Sequence, residues 1–159
     1  MKRLSPEREH FFWQEITAIC KSSRVAESKE FCQHGGTSVY QHSLHVTYES
    51  CLFAERHHLP VDYSVLIRGA FLHDYFLYDW HDKEHRHKRP HGFYHPSAAL
   101  RNAMGDFELT AKEQNIIKRH MFPLTIVPPA CIEAWIVCYI DKVCSTRETL
   151  YRRKRDYAH

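Results

Sequence analysis

Apolar residues recur along this chain at helical spacing. Phe12, Ile16 and Ile19 lie three or four residues apart behind Ser5-Pro6, and Pro suits the first turn of a helix. A helix is predicted over 5–22. Gly35-Gly36-Thr37 breaks the chain and offers an N-cap for a second helix running to about His58, with Leu59-Pro60 closing it. Residues 63–79 read as a third helix. It is apolar on nearly every side (Val65, Leu66, Ile67, Ala70, Phe71, Leu72, Phe76, Leu77), as a central buried helix is. Residues 79–94 are polar, aperiodic and rich in histidine, which reads either as a lid over a site or as a solvated surface loop. A fourth helix is expected from His95-Pro96 to about Met104, with His95 as N-cap and Pro96 at its first position. Thr110 and Glu113 make a capping box for a fifth helix toward His120. Pro123 and Pro128-Pro129 separate it from a sixth, roughly 130–155. The expectation is an all-α bundle of six or more helices.

Composition narrows this further. The 159 residues suit one domain, so 1–159 is read as a single unit. A hydrophobic share of 43% is enough for a sizeable core and argues against a disordered chain. Five glycines and seven prolines are too few for a many-turned all-β protein. No apolar run approaches the ~18 residues of a membrane span. Charged residues follow Met1 where a signal sequence would have an apolar core. The six cysteines form no C-x-x-C pair and read as reduced core residues, so a cytoplasmic protein is expected. A net charge of +3 is too mild to indicate nucleic acid. Arg152-Arg153-Lys154-Arg155 reads as a solvated helix end whose cations complement the dipole.

The chain carries 14 histidines, and their positions matter more than their number. At about 100° per residue, His42 lies close to the stripe formed by Val39, Val46 and Phe53, with His45 toward its edge. Alone, His42 would be an ordinary core histidine. Asp74, in His73-Asp74, shares the predicted apolar face of Ile67, Ala70 and Phe71. Asp141 follows Val137 by four residues in another apolar helix. A buried carboxylate costs several kcal/mol unless it is paired or bound to metal. Arg68 or Lys142 could supply the positive charge. A divalent cation would also account for the histidines. Mixed imidazole and carboxylate ligands suit zinc, iron or manganese better than magnesium alone.

The ordered set His42, His73-Asp74, His95, His120 and Asp141 resembles the HD-domain superfamily of metal-dependent phosphohydrolases. The strings His95-Pro96, Lys118-Arg119-His120-Met121 and Ile140-Asp141-Lys142 look like a small bacterial branch of it. The resemblance implies an HD core over 37–145, with the helix at 5–22 and the basic C-terminal end packed on it. It implies a first metal at His42, His73, Asp74 and Asp141. A second would use His95 and His120 with Asp74 bridging, and His91 is the reserve ligand. Tyr75-Phe76 replaces the Ile-Gly of several signalling and RNA-processing branches, and the Gly-Tyr-Pro of cyclic-dinucleotide hydrolases is absent, so those substrates are not implied.

The implied reaction is phosphoester hydrolysis of a small phosphorylated metabolite, a nucleotide above all, by metal-activated water. His73 and Asp74 stand at its centre. One or two divalent ions are expected, iron or manganese first, with zinc, nickel, cobalt and magnesium left open. Lys118, Arg119, Lys142 and Arg89 are candidate phosphate clamps, with Lys83, Arg86 and Lys88 beside Arg89 in the loop. Tyr75, Tyr78, Trp80, Phe93 and Tyr94 could stack on a base or simply fill core and loop. Two rival classes share the ligands: a mixed-valent di-iron oxygenase, and a non-catalytic metal- or nucleotide-binding module. A closed structural site would favour cysteine ligands, which this set lacks. No membrane partner is expected, and the oligomeric state is not legible.

Overall fold

The computed structural model describes residues 3–30, 32–34, 37–77 and 91–156. Side chains of 32–34, 91–92 and 151–156 lie outside the description. Helix α1 spans Pro6–Lys21 and buries Phe12, Ile16 and Ile19, the face its spacing predicts. Glu7 and Glu9 complement the dipole of its first turn. Ser5 ties its start to the far end of the next helix, donating to Glu55 from both backbone N–H (3.1 Å) and hydroxyl (2.6 Å). A 3-10 helix (Val25–Glu30) follows, then an antiparallel ribbon of β1 (Cys32–His34) and β2 (Thr37–Ser38) that sequence periodicity does not announce.

Helix α2 (Val39–Arg56) starts one residue later than Thr37 would place it. Ser38 is the N-cap, in a reciprocal capping box with Gln41 at 3.2 Å each way, while Thr37 is used by the ribbon. Helix α3 is only Tyr63–Phe71, capped by Asp62, and stops well short of residue 79. The apolar run continues through a buried turn, Leu72–Asp74, and a non-helical segment in which Tyr75 and Phe76 are also buried. Helix α4 spans His91–Asp106 and holds Pro96 in its second turn, so His95 is inside the helix and not its N-cap. Helix α5 (Ala111–Arg119) opens on the expected capping box: Glu113 N–H donates to Thr110 (3.3 Å), and Thr110 N–H to Glu113 (2.7 Å). Helix α6 spans Ile132–Asp156.

The architecture is all-α, apart from the small ribbon. α2 packs on α3 and α6, and α5 packs on α3, α4 and α6. Their shared interior holds Val46, Leu66, Ile67, Ala70, Ile116, Ile117 and Val137. Gly69 lets α3 pack closely on α5. A Cβ there would collide with the Ile116 side chain, reaching 3.0 Å from its Cβ and 3.2 Å from its Cγ1. Among the described residues no helix is long and apolar enough to cross a membrane. The described cysteines are unbridged, and Cys51, Cys138 and Cys144 are buried.

Candidate metal centre

Six side chains from five separate parts of the fold meet inside this bundle. His42 comes from the first turn of α2, and His73 and Asp74 from the turn closing α3. His95 comes from α4, His120 caps the C-terminus of α5, and Asp141 lies on α6. All six are buried, His42, His73 and His120 completely.

Asp74 divides its carboxylate between two pairs of histidines. Oδ2 lies 3.8 Å from His42 Nε2 and 3.4 Å from His73 Nε2. Oδ1 lies 3.2 Å from His95 Nε2 and 3.5 Å from His120 Nε2. Asp141 Oδ1 joins the first pair, 3.1 Å from His42 Nε2 and 3.7 Å from His73 Nε2. Three overlapping groups (His42, His73, Asp74; His73, His120, Asp141; Asp74, His95, His120) each place their donor atoms within 4.8 Å of one another, close enough to hold a metal ion.

The backbone aims the rings. His73 Nδ1 donates to the Ala70 carbonyl at 2.7 Å, and His120 Nδ1 to the Ile117 carbonyl at 2.8 Å. A carbonyl only accepts, so in the neutral imidazole the proton sits on Nδ1 and Nε2 offers its lone pair inward. This is the usual way a protein orients a metal-ligating histidine. His73 Nε2 is buried with no hydrogen-bond partner, while His95 and His120 bring their Nε2 atoms to 2.8 Å. Orphaned and converging imidazole nitrogens beside carboxylates fit a cation.

The electrostatics agree. Burial pushes the carboxyls of Asp74 and Asp141 up, yet both are held well below the usual range: Asp74 by His73, His95 and His120, Asp141 by His42 and His73. Burial opposes charge on His42 and His73 as well. The carboxylates win there, Asp141 and Glu148 raising His42, Asp74 and Asp141 raising His73. His120 is pushed down to about 3 by burial, which the pull of Asp74 does not offset, and by His73 and His95. The raised histidines and lowered aspartates thus stabilise one another's charged forms.

The other cations go elsewhere. Arg68 pairs with Glu113 at 3.4 Å. Lys142 uses all three of its donors on the His120 carbonyl (2.9 Å), the Cys138 carbonyl (3.0 Å) and the Cys138 sulfur (3.2 Å). These contacts place Lys142 behind His120. Lys118 is exposed and Arg119 half-buried at the end of α5. Arg89 and its neighbours Lys83, Arg86 and Lys88 lie outside the described residues, as do His81, His85, His87, Tyr78 and Trp80. His91 begins α4, but its side chain is not described. Tyr75 is a core residue: it is 1% exposed and its hydroxyl donates to Asp106 at 2.6 Å. Phe93 and Tyr94 are exposed on α4.

Sequence reasoning missed the supports. Asn102 donates to the Tyr75 carbonyl at 2.9 Å, so with Asp106 it ties the segment after Asp74 to α4, the helix of His95. Ser145 donates to Asp141 Oδ1 at 3.2 Å, and Glu148 meets His42 Nδ1 at 3.1 Å. Asp141, Ser145 and Glu148 are spaced i, i+4, i+7, a helical stripe that could have been read beforehand.

Comparison with known proteins is consistent with this arrangement. Neither curated proteins nor solved structures give a match. The family model of the HD domain matches residues 39–146, which include all six clustered side chains. The chain belongs to the HD domain family.

Proposed function

We propose that this protein is a metal-dependent phosphohydrolase with a binuclear centre, acting on a small phosphorylated metabolite, a nucleotide above all. One observation carries the reading: the two oxygens of Asp74 face different histidine pairs. A carboxylate so placed can bridge two ions. His42, His73 and Asp141 would complete one site, His95 and His120 the other. When bound, such ions supply a water of low pKa and positive charge for the phosphoryl oxygens. Iron or manganese suits the ligand set best.

The chain's own residues would do the rest. Asp74 and Asp141 stay ionised through the histidines around them. The Ala70 and Ile117 carbonyls keep His73 and His120 facing inward. Lys118 and Arg119, next to His120, are the cations best placed by sequence to meet a phosphate. Four protein ligands at one site and three at the other would leave positions for water and substrate on six-coordinate ions, which favours catalysis over a closed structural site.

The test is Asp74→Ala, assayed for metal content and for anaerobic phosphate release from a panel of nucleotides and phosphoesters. Both activities should vanish while the helical circular-dichroism spectrum persists. Phosphoester turnover surviving in the variant would refute the site. Two irons with oxygen consumption on an organic substrate would replace the hydrolase with an oxygenase.

A further inference from the structure

The histidines are not supported alike. His73 and His120 each rest on a neutral backbone carbonyl three residues back. His42 instead rests on a carboxylate: its Nδ1 lies 3.2 Å from Glu148 Oε1 and 3.1 Å from Oε2. Glu148 stands seven residues after Asp141 on α6, two turns along the same face. One helix thus brings both a candidate ligand and the support of another. Glu148 is only 11% exposed, so water screens its charge weakly. On its outer side lies half-exposed His45, with Nδ1 3.8 Å from Oε1.

We propose that Glu148 is a positioning residue that makes the His42 site the tighter of two unequal metal sites. The inference rests on the binuclear reading above. A carboxylate behind an imidazole holds the ring and makes its other nitrogen a stronger donor. The site of His42, His73, Asp74 and Asp141 gains that negative charge. The site of His95 and His120 lies on the far oxygen of Asp74, away from the pair that Asp141 joins, and His120 there rests on a neutral carbonyl. Metal should therefore fill the two sites in order, the His42 side first.

The probe is Co²⁺ added stepwise to metal-free protein, followed by its visible absorption and by competition with a chromophoric chelator. Wild type should show two steps of different affinity. Glu148→Gln keeps an acceptor for His42 Nδ1 but removes the charge, and Glu148→Ala removes both. The tighter step should weaken about 10-fold in the first and up to about 100-fold in the second. The weaker step should stay unchanged, and so should the circular-dichroism spectrum. His45→Ala, which removes a neighbour of Glu148 and Glu49 but no contact to His42, should leave both steps intact. Two wild-type steps that Glu148→Gln and Glu148→Ala leave unmoved would overturn the role of Glu148 alone. Equal weakening of both steps would overturn its assignment to one site. A wild type that takes up no Co²⁺ would instead overturn the metal reading itself.

Discussion

Gly69→Ala tests whether the close contact of α3 and α5 sets the geometry of the centre. The added methyl would stand 3.0 Å from Ile116 Cβ, a branch point that no side-chain rotation can move away. Ile116 is fully buried, so with its side chain intact the contact can be relieved only by separating the helices. Overpacking of this kind costs about 1–3 kcal/mol, and Ala regains about 1 kcal/mol of helix propensity over Gly. The net expectation is about 1 kcal/mol of destabilisation, or a melting temperature about 2–4 °C lower. His73 follows Gly69 by four residues and His120 follows Ile116 by four, so the strain falls one turn before each ligand. Metal affinity should drop along with stability. Ile116→Val removes the nearest methyl and costs about 1 kcal/mol alone. In the double variant the collision eases, so the two effects should sum to less than their parts by about 1 kcal/mol in chemical denaturation. Additivity within about 0.5 kcal/mol, or Gly69→Ala with unchanged stability and metal affinity, would refute the reasoning.

Other perturbations separate the parts of the site. Lys142→Met should weaken metal binding about 10-fold at the His95–His120 side and leave KM for substrate nearly unchanged, because Lys142 anchors the His120 carbonyl; a raised KM with full metal content would show it to be a phosphate clamp. His95→Ala should retain one metal per chain by elemental analysis, and loss of all metal would show the sites to be wrongly divided. The raised pKa values of His42 and His73 mean that metal must displace protons from these rings. Affinity should therefore fall as pH drops below those values and level off above them, with protons released into weakly buffered solution on metal uptake; metal uptake without proton release would contradict this.

Much of the centre was legible because its signals are local or follow helical spacing. Thr110 and Glu113 form their box where the pattern predicts it. His42 lies on the inward face of α2 with Val39 and Val46, and is fully buried. His73 and Asp74 are buried for a different reason than predicted. A helix apolar on every side and a buried turn have the same hydrophobic pattern, and no Gly or Pro between Phe71 and Phe76 marks where α3 ends. Pro96 misled in the same way: the preference of Pro for a first turn placed a start at His95, but α4 begins at His91 and accepts Pro96 inside it. The stripe of Asp141, Ser145 and Glu148 was legible, but its meeting with His42, like that of Lys142 with His120, was hidden because it depends on what the neighbouring helices bring opposite α6.

The central claim is that Asp74 joins two metal ions. Anomalous diffraction from crystals of the metal-loaded protein tests it most directly. Two peaks about 3.5–4 Å apart, one on each side of the Asp74 carboxylate, are expected. The first should lie among His42, His73 and Asp141, and the second between His95 and His120. A single peak, or a pair that does not share Asp74, would contradict the account.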